Sequence, residues 1–329
     1  MPAALFTLLM HMHSQNKLTM KTLFTSHTAA ALVAWLALTT VASAQAPRVA
    51  GGDEYSMRVV ARGLHRPTGL VVRGDKTLFF TEVPTPGVNG MNGGSNAVSR
   101  LDLRDDRITT LHMGEPEPVN LALGRDGALY WTCKSAGVIL EQEGNGPATV
   151  FLSGLNKPSG IAVDRHENVY YTEVPTPGVN AMNGGSNSVS VSDGRHIELI
   201  HQGEPEPTDI VVSRDGDLYW TCQSAGVIFE RDPKSGLTTV LIGQLDKPTG
   251  IALDARGKTL FFTEVPTPGV SGRNGGRNKV WELDLKTGVK KLVDEGDPEP
   301  TDITVARNGN LYWTCTSAGV IVEAIPARK

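Results

Sequence analysis

The chain has 329 residues, and 31 Lys and Arg against 35 Asp and Glu give it a formal net charge of −4. This weakly acidic balance excludes a basic footprint for nucleic acid or for an anionic membrane surface, so we predict no nucleic-acid partner. The 36 Gly and 20 Pro residues lie between short apolar runs, which indicates strands and turns with little helix.

The first 44 residues are typical of a targeting segment. An apolar run over residues 29–38 follows Lys21 and precedes small residues that end at Ala44, which predicts a secretory signal peptide cleaved after Ala44. The run is shorter than the roughly 20 residues that span a bilayer, so we expect no membrane span after cleavage. We therefore expect a secreted or periplasmic protein.

Three nearly identical segments follow in the rest of the chain. TEVPTPGVNGMNGGSN at 81–96 returns as TEVPTPGVNAMNGGSN at 172–187 and as TEVPTPGVSGRNGGRN at 263–278, with a period of 91 residues. Each repeat divides again, because a proline stands 15 or 16 residues before the last residue of six aromatic segments such as LFFTE and LYWTC. Repetition of this kind predicts an array of equivalent structural units.

Each half-repeat predicts four short strands. A proline opens an apolar strand, a turn with Asp or Gly leads to the aromatic strand, and two further strands such as GVILEQ and ATVFLS complete the unit. Four strands per roughly 45 residues, repeated six times, are typical of an all-β, six-bladed β-propeller. We predict a linker at 45–54 and one propeller domain at 55–329, with two-blade repeats at about 65–155, 156–245 and 246–329.

The two ends of the chain predict how the ring closes. MRVVARGL at 57–64 matches the fourth strands but precedes the first half-repeat, while the chain stops after a third strand, GVIVEAI. We therefore expect the N-terminal segment to supply the outer strand of the last blade, which removes an open sheet edge.

Two motifs carry a resemblance to known propellers. LYWTC resembles the YWTD repeat of low-density-lipoprotein-receptor-type propellers, with Cys in place of Asp, and PSGIAVDRHENVYYTE at 158–173 resembles NHL-repeat and virginiamycin B lyase-like (streptogramin lyase-like) propellers. Similarity to SMP-30/gluconolactonase-like propellers is more distant. The resemblance covers the chain after the signal peptide and implies the fold. It implies no single function, because such propellers include lactonases, lyases, lectin-like modules and protein-binding scaffolds.

Alternate half-repeats place a polar residue at the predicted channel mouth. In a propeller the first strand of each blade lines the central channel, and two positions after the proline stand Asn120, Asp209 and Asp302, where the other half-repeats have Gly. An amide and two carboxylates that converge there predict a site for Ca²⁺ or another divalent cation, and no organic cofactor is implied. The alternative is that they bind ordered water or neighbouring backbone groups.

The long insertion is a candidate binding element. Only the odd half-repeats carry it, and its glycines permit close backbone approach to a ligand, which we expect to be a small polar molecule, a carbohydrate or a protein partner. The alternative is a solvent-exposed decoration. The candidate ligand-binding residues are Asn92, Asn96, Asn183, Asn187, Arg273, Asn274, Arg277 and Asn278.

The last residue of the aromatic strand alternates between Glu and Cys. The glutamates are candidates for catalysis, with hydrogen bonding to the backbone amides of the insertion as the alternative: Glu82, Glu173 and Glu264. The cysteines stand two blades apart, too far for a disulfide or a shared metal, and we expect buried fillers: Cys133, Cys222 and Cys315.

Binding and catalysis both remain open from the sequence. The resemblance implies an Asn or Asp directly after the strand-one proline in lactonases and a His there in streptogramin lyases, whereas this chain has Thr, Val or Ser. Three nearly identical loops favour repeated binding, because catalysis needs a differentiated acid, base or nucleophile. We expect an exported propeller that binds a polar ligand or partner on its channel face, either directly or through a Ca²⁺-like cation. The alternative is a metal-dependent lactonase-like hydrolase or a streptogramin-lyase-like enzyme.

Overall fold

The computed structural model describes residues 49–50, 54–84, 96–175, 187–203, 205–266 and 277–327. Contacts divide the chain into two compact units, Met1–Gln45 and Ala46–Lys329. The first unit, with the predicted signal peptide, lies outside the described residues. The described part of the second unit consists of strands and turns, and it includes no helix long and apolar enough to cross a membrane.

The strands follow the predicted half-repeats in chain order. The first six are β1 (Val49–Ala50), β2 (Tyr55–Ala61), β3 (Pro67–Arg73), β4 (Thr77–Glu82), β5 (Ala97–Asp102) and β6 (Arg107–Met113). The next eight are β7 (Pro118–Leu123), β8 (Leu129–Cys133), β9 (Val138–Gln142), β10 (Thr149–Ser153), β11 (Pro158–Val163), β12 (Val169–Glu173), β13 (Ser188–Ser192) and β14 (Ile197–Gln202). The remainder are β15 (Pro207–Val212), β16 (Leu218–Cys222), β17 (Val227–Arg231), β18 (Thr238–Ile242), β19 (Pro248–Leu253), β20 (Thr259–Glu264), β21 (Lys279–Asp284), β22 (Lys290–Glu295), β23 (Pro300–Val305), β24 (Leu311–Cys315) and β25 (Val320–Pro326).

The strands form six antiparallel blades, which confirms the predicted six-bladed propeller. Blades one to five each take four consecutive strands, beginning with β3, β7, β11, β15 and β19. Blade six has the order β2-β25-β24-β23. The inner strands contact one another in succession around the ring, including β23 with β3.

The N-terminal strand closes the ring as predicted. β2 pairs with β25 in antiparallel register, with Tyr55 opposite Pro326 and Val59 opposite Val322. The first and last described segments of the domain are thereby held in one sheet. β1 adds a short parallel strand to the outer edge of blade five.

The core lies between the blades. Six clusters of buried hydrophobic residues each combine side chains from two adjacent blades, so each blade face packs against its neighbour. The aromatic strands supply the largest members, and Trp131, Trp220 and Trp313 have no exposed side-chain area. These tryptophans therefore belong to the core.

The register of the two inner strands is the same in all six blades. The proline that opens each inner strand lies opposite the Glu or Cys that ends the aromatic strand.

Candidate functional site at the channel mouth

The inner strands of the six blades line a central channel. They enclose a cavity of about 360 Å³ whose wall is largely Val, Leu, Ile and Ala. Its polar lining includes Asn120, Asp209 and Asp302, each two residues after the proline that begins its strand. The insertions leave their blades at this same end of the channel. Polar groups in so apolar a wall are costly unless they are hydrogen-bonded.

The structure brings the three predicted metal candidates together. Asn120, Asp209 and Asp302 come from blades two, four and six, and each is at most 8% exposed. Asn120 Nδ2 donates to Asp209 Oδ1 over 2.7 Å. The carboxyl groups of Asp209 and Asp302 share a further hydrogen bond. We call these three residues the polar ring.

Main-chain amides satisfy the carboxyl oxygens of the polar ring. Asp209 accepts the N–H of Ile210 in its own strand at 2.8 Å and that of Ile251 in blade five at 2.9 Å. Asp302 repeats the pattern with amides of its own strand and of blade one, at 2.7 and 2.6 Å. Each carboxyl therefore ties its blade to the next, which is the backbone role that the sequence left as the alternative to metal binding.

The two carboxyls of the polar ring do not both ionise at neutral pH. Burial raises the pKa of Asp209 to about 7. Burial and the charge of Asp209 hold the pKa of Asp302 well above its usual range. The pair therefore retains a proton to higher pH than two ordinary aspartates do, and we expect that proton to lie in the bond between Asp302 and Asp209.

The glycines that alternate with the polar ring are required by close packing. A Cβ on Gly69 would lie 2.5 Å from the carbonyl oxygen of Val119, and a Cβ on Gly160 would lie 2.5 Å from the Cα of Asp209. A Cβ on Gly250 meets the Cα of Asp302 at 2.6 Å. Sequence reasoning noted the alternation but missed this cause, because it depends on contact between adjacent blades.

The threonine of each aromatic strand joins neighbouring blades, a role that sequence reasoning also missed. All six are fully buried, and each accepts the main-chain N–H two residues after the strand-one proline of its own blade. In five blades the same hydroxyl donates to a carbonyl of the next blade, at 2.8 to 3.5 Å. The bond from Thr314 to Thr68 joins blade six to blade one. The signal in the sequence was the recurrence of Thr at one position in all six half-repeats.

The three glutamates that end the aromatic strands accept amides of the loop that enters their own blade. The main-chain N–H groups of His65 and Asp246 donate to Glu82 and Glu264 over 2.7 and 2.8 Å. Glu173 accepts the equivalent amide and the hydroxyl of Ser188. Trp281 Nε1 donates to the second oxygen of Glu264 at 2.7 Å.

Glu82 differs from the other two glutamates. Its second oxygen has no hydrogen-bond partner in the part of the chain that the structure describes, because Ala97 stands where blade three has Ser188. Burial raises the pKa of Glu82. Glu82 is thus the one member of its set with a carboxyl oxygen available to a ligand, among the described residues.

The insertion is anchored by the asparagine that follows it. Asn96 Nδ2 donates to the carbonyl of Glu115 at 2.7 Å, and Asn278 Nδ2 donates to that of Asp297 at 2.8 Å. The carbonyls of Asn96, Asn187 and Asn278 each accept a glycine amide from the loop that leads to the next blade. These asparagines therefore hold the ends of the insertions. The predicted ligand residues Asn92, Asn183, Arg273 and Asn274 lie outside the described residues.

Arg277 follows the third insertion and is largely exposed. Its guanidinium lies 3.7 Å from the carboxylate of Glu295, which also lies 3.8 Å from Lys279 Nζ. An exposed pair of this kind contributes little to stability, ~0–1 kcal/mol. Arg277 is therefore accessible at the channel face.

The cysteines are buried, free thiols, as predicted. Burial, reinforced by the nearby carboxylate of Glu115, raises the pKa of Cys133 to about 12. Burial and Asp297 raise the pKa of Cys315 in the same way. Since a thiolate is the reactive form, these residues are unsuited to nucleophilic chemistry.

The comparison with family models found no match. Among curated proteins, the chain is similar to low-density lipoprotein receptor-related protein 1 of Pyricularia oryzae, with 25% identity over 278 residues that cover 73% of this chain and 85% of that protein.

Solved structures with the same fold come from three functional classes. The nidogen/laminin complex matches with a TM-score of 0.56 and 21% identity over 72% of this chain and 84% of the other. A streptogramin B lyase matches with a TM-score of 0.58 and 15% identity, over 83% of this chain and 98% of the other. A putative gluconolactonase matches with a TM-score of 0.63 and 14% identity, over 83% of this chain and 92% of the other. These similarities establish the propeller fold and leave the function open.

Proposed function

We propose that this protein is a binding propeller whose channel face, the face from which the insertions leave, binds a polar small molecule, a carbohydrate or a protein partner. The observation that carries the proposal is the use of the acidic side chains at this face. Asp209, Asp302, Glu173 and Glu264 hold main-chain amides of their own and adjacent blades, which makes them parts of the scaffold.

Among the described residues, the paired acid and base on this face are the carboxyls of Asp209 and Asp302, whose oxygens already accept main-chain amides of their own and adjacent blades. A general base must lie within hydrogen-bond reach of a nucleophile or of the proton that it removes. Glu82 is the only candidate glutamate with a free oxygen among the described residues, and its hydrogen-bond partner is the amide of His65. The glutamates that end the aromatic strands thus offer one free carboxyl oxygen, which suits a ligand contact better than the lactonase or lyase chemistry of the similar structures.

Repetition of the insertion supports binding. Each insertion begins after a glutamate and ends at an asparagine that is fixed to the next loop, so the three copies start and end at equivalent points of alternate blades. Equivalent sites on one rigid face raise overall affinity when a ligand or partner engages several of them. The nidogen/laminin complex offers an example of this fold in a protein that assembles with another.

We extend the proposal to a divalent cation at the polar ring. Asp209 Oδ2 and the two oxygens of Asp302 each accept one amide, so each retains a lone pair that a cation bound in place of the shared proton would use. Ca²⁺ takes six to eight oxygen ligands, so water in the channel would supply the others. The described residues contain no cluster of three His, Cys, Asp or Glu side chains that could hold a metal, so Asn120 would have to take part.

The cation proposal is tested by thermal unfolding after EDTA treatment, with and without added CaCl₂. A bound cation stabilises the folded state by mass action, so Ca²⁺ should raise Tm in the wild type and fail to do so in Asp302→Asn. A wild-type Tm that does not change with added CaCl₂ would contradict the cation proposal.

The binding proposal is tested by replacing insertions with the short turn of the even blades. Glu82 pairs with Ala97 as Cys133 pairs with Val138, so the Lys-Ser-Ala-Gly turn at 134–137 fits between the same paired ends and preserves the strand register. Ligands are first identified by screening the wild type on an array of glycans and extracellular proteins. We expect these ligands to bind more weakly to the protein with one grafted turn and not at all to the protein with three. Tm should stay near the wild-type value in both. Binding that survives all three grafts would contradict the proposal.

We place this activity outside the cytoplasm, on the basis of the signal-like segment at 1–44. N-terminal sequencing of the protein recovered from the periplasm or medium tests this, and an intact N-terminus on intracellular protein would count against it.

A further inference from the structure

The opposite end of the channel is lined by arginine. A cleft of about 450 Å³ lies where the inner strands of blades six, one and two end, and Val72, Leu123 and Val305 line both this cleft and the central channel. Three arginines, Arg73, Arg125 and Arg307, line it as well. We call this feature the arginine cleft. It lies at the far end of the inner strands from the insertions and the polar ring.

The arginines are placed by the turn between the first and second strands of each blade. An arginine stands in or beside all six of these turns, and those of blades one, two and six line the cleft. The six are Arg73, Arg125, Arg165, Arg214, Arg256 and Arg307. In blade four, Arg214 is flanked by Asp215 and Asp217, which offset its charge. The turns of blades six, one and two together carry more basic than acidic residues, with Asp75 and Asp126 as the acidic ones.

Arg73 is held in position. Its guanidinium stacks 4.6 Å from the ring centroid of Phe79 and donates to the carbonyl of Gly127 at 2.7 Å. Burial, with a smaller effect of the nearby Arg100, lowers the pKa of Arg73. A guanidinium fixed by stacking and one hydrogen bond keeps further N–H groups for another acceptor.

The other two arginines of the cleft have free guanidinium groups. Neither Arg125 nor Arg307 has a side-chain hydrogen bond or an ion pair in the part of the chain that the structure describes. The acidic lining residue is Asp126, whose Oδ1 accepts the amide of Ala128 at 2.8 Å. Two further carboxylates lie beside the cleft, since Glu167 accepts the main-chain N–H of Arg125 at 3.0 Å and Asp75 accepts that of Asn308 at 3.1 Å. All three carboxylates therefore have main-chain partners, and the guanidinium groups of Arg125 and Arg307 keep their N–H donors for another acceptor.

We propose that the arginine cleft binds a small anionic ligand that carries at least two phosphate or carboxylate groups. The planar fork of arginine matches both groups with paired hydrogen bonds, and charge-assisted bonds of this kind are strong. The volume corresponds to about fifteen water molecules at roughly 30 Å³ each, which suits a compact molecule rather than one inorganic ion. This site is distinct from the channel face in position and in ligand charge.

Titration calorimetry of the full chain with pyrophosphate and, separately, with citrate tests the proposal at constant ionic strength. We expect saturable 1:1 binding of at least one of them, weakened at least tenfold in Arg125→Gln and in Arg307→Gln. Which anion binds more tightly identifies the phosphate or the carboxylate class. The matched control is Arg214→Gln, the equivalent turn of blade four, which should bind as the wild type does.

Two results would overturn the proposal. One is the absence of saturable binding by both anions, and the other is equal weakening in Arg214→Gln and in the cleft variants, which would indicate a diffuse charge effect. Because the three substituted side chains are exposed, all variants should keep the wild-type Tm. The three-insertion graft should bind these anions normally, which separates this site from the proposed channel-face function.

Discussion

Asp302→Asn should change the pH dependence of stability. The substitution keeps the shape of the side chain and removes its titration, and the fold already accepts an amide at this position, since Asn120 occupies it in blade two. There Asn120 Oδ1 accepts the next amide in its strand at 2.7 Å and its Nδ2 donates to Asp209. We expect the amide introduced by Asp302→Asn to make the same two bonds and to lose only the bond from the main-chain N–H of Leu70, at a cost of about 1 kcal/mol.

The magnitude follows from the proton that Asp302 retains. A carboxyl with a raised folded-state pKa stabilises the protein below its unfolded pKa, and that stability is lost as pH rises toward the folded value. Each proton held only by the folded state costs about 1.4 kcal/mol of unfolding free energy per pH unit. As pH rises from 5, the wild type should therefore lose stability relative to Asp302→Asn, by about 1.4 kcal/mol for each pH unit over which only the folded state holds this proton.

Urea unfolding at pH 5, 6, 7 and 8 measures the effect. The lost hydrogen bond should make the variant about 1 kcal/mol less stable at low pH, and its stability relative to the wild type should increase at each step toward pH 8. Burial also raises the pKa of Asp209, so both proteins should lose some stability as Asp209 ionises. Parallel pH profiles for the two proteins would refute the shared proton.

Three further predictions concern buried hydroxyl groups, glycines and thiols of the blades. Thr132→Val removes the hydroxyl that joins blades two and three and should cost about 2 kcal/mol or more in urea unfolding, whereas Thr132→Ser keeps the bonds and should cost less than half as much. Gly160→Ala places a Cβ 2.5 Å from the backbone of Asp209 and should cost ~3 kcal/mol or more. Gly63→Ala meets no atom within 4 Å and, through its left-handed backbone, should cost only ~1 kcal/mol; equal losses would contradict the packing argument. The three buried thiols should resist a thiol-reactive probe at pH 8 in the native protein and react fully in urea, and labelling of the native protein would contradict their burial.

The sequence predicts the fold well because the patterns that indicate the fold are local and repeated. Strand periodicity, turn residues and a fixed spacing from proline to the aromatic strand recur six times, so each copy supports the assignment of the others. Closure of the ring was also predictable. The segment at 57–64 resembles an outer strand without a blade of its own, and the last blade lacks its outer strand at the C-terminus, so the two were expected to pair. Such inferences need no knowledge of contacts between blades.

The candidate site was predictable in position and less so in chemistry. Placing Asn120, Asp209 and Asp302 together required only the propeller geometry. The partners of the glutamates were not predictable, because Glu82 and Glu264 reach a loop that precedes their own blade, and side-chain direction decides this. The same holds for the threonine bonds and the glycine contacts, which exist only between blades.

The polar ring also explains why the three copies of the repeat differ at this position. Three carboxyls would crowd negative charge in a buried ring, whereas three amides would leave the main-chain N–H groups of Ile251 and Leu70 without their carboxyl acceptors. One Asn and two Asp with raised pKa values satisfy these bonds with less negative charge than three ordinary carboxyls would carry. Asymmetry at the ring therefore has a structural cause. The free oxygen of Glu82 is a difference between blades that has no such cause, and the guanidinium groups of Arg125 and Arg307 are unpaired among the described residues. Function is better sought at these groups.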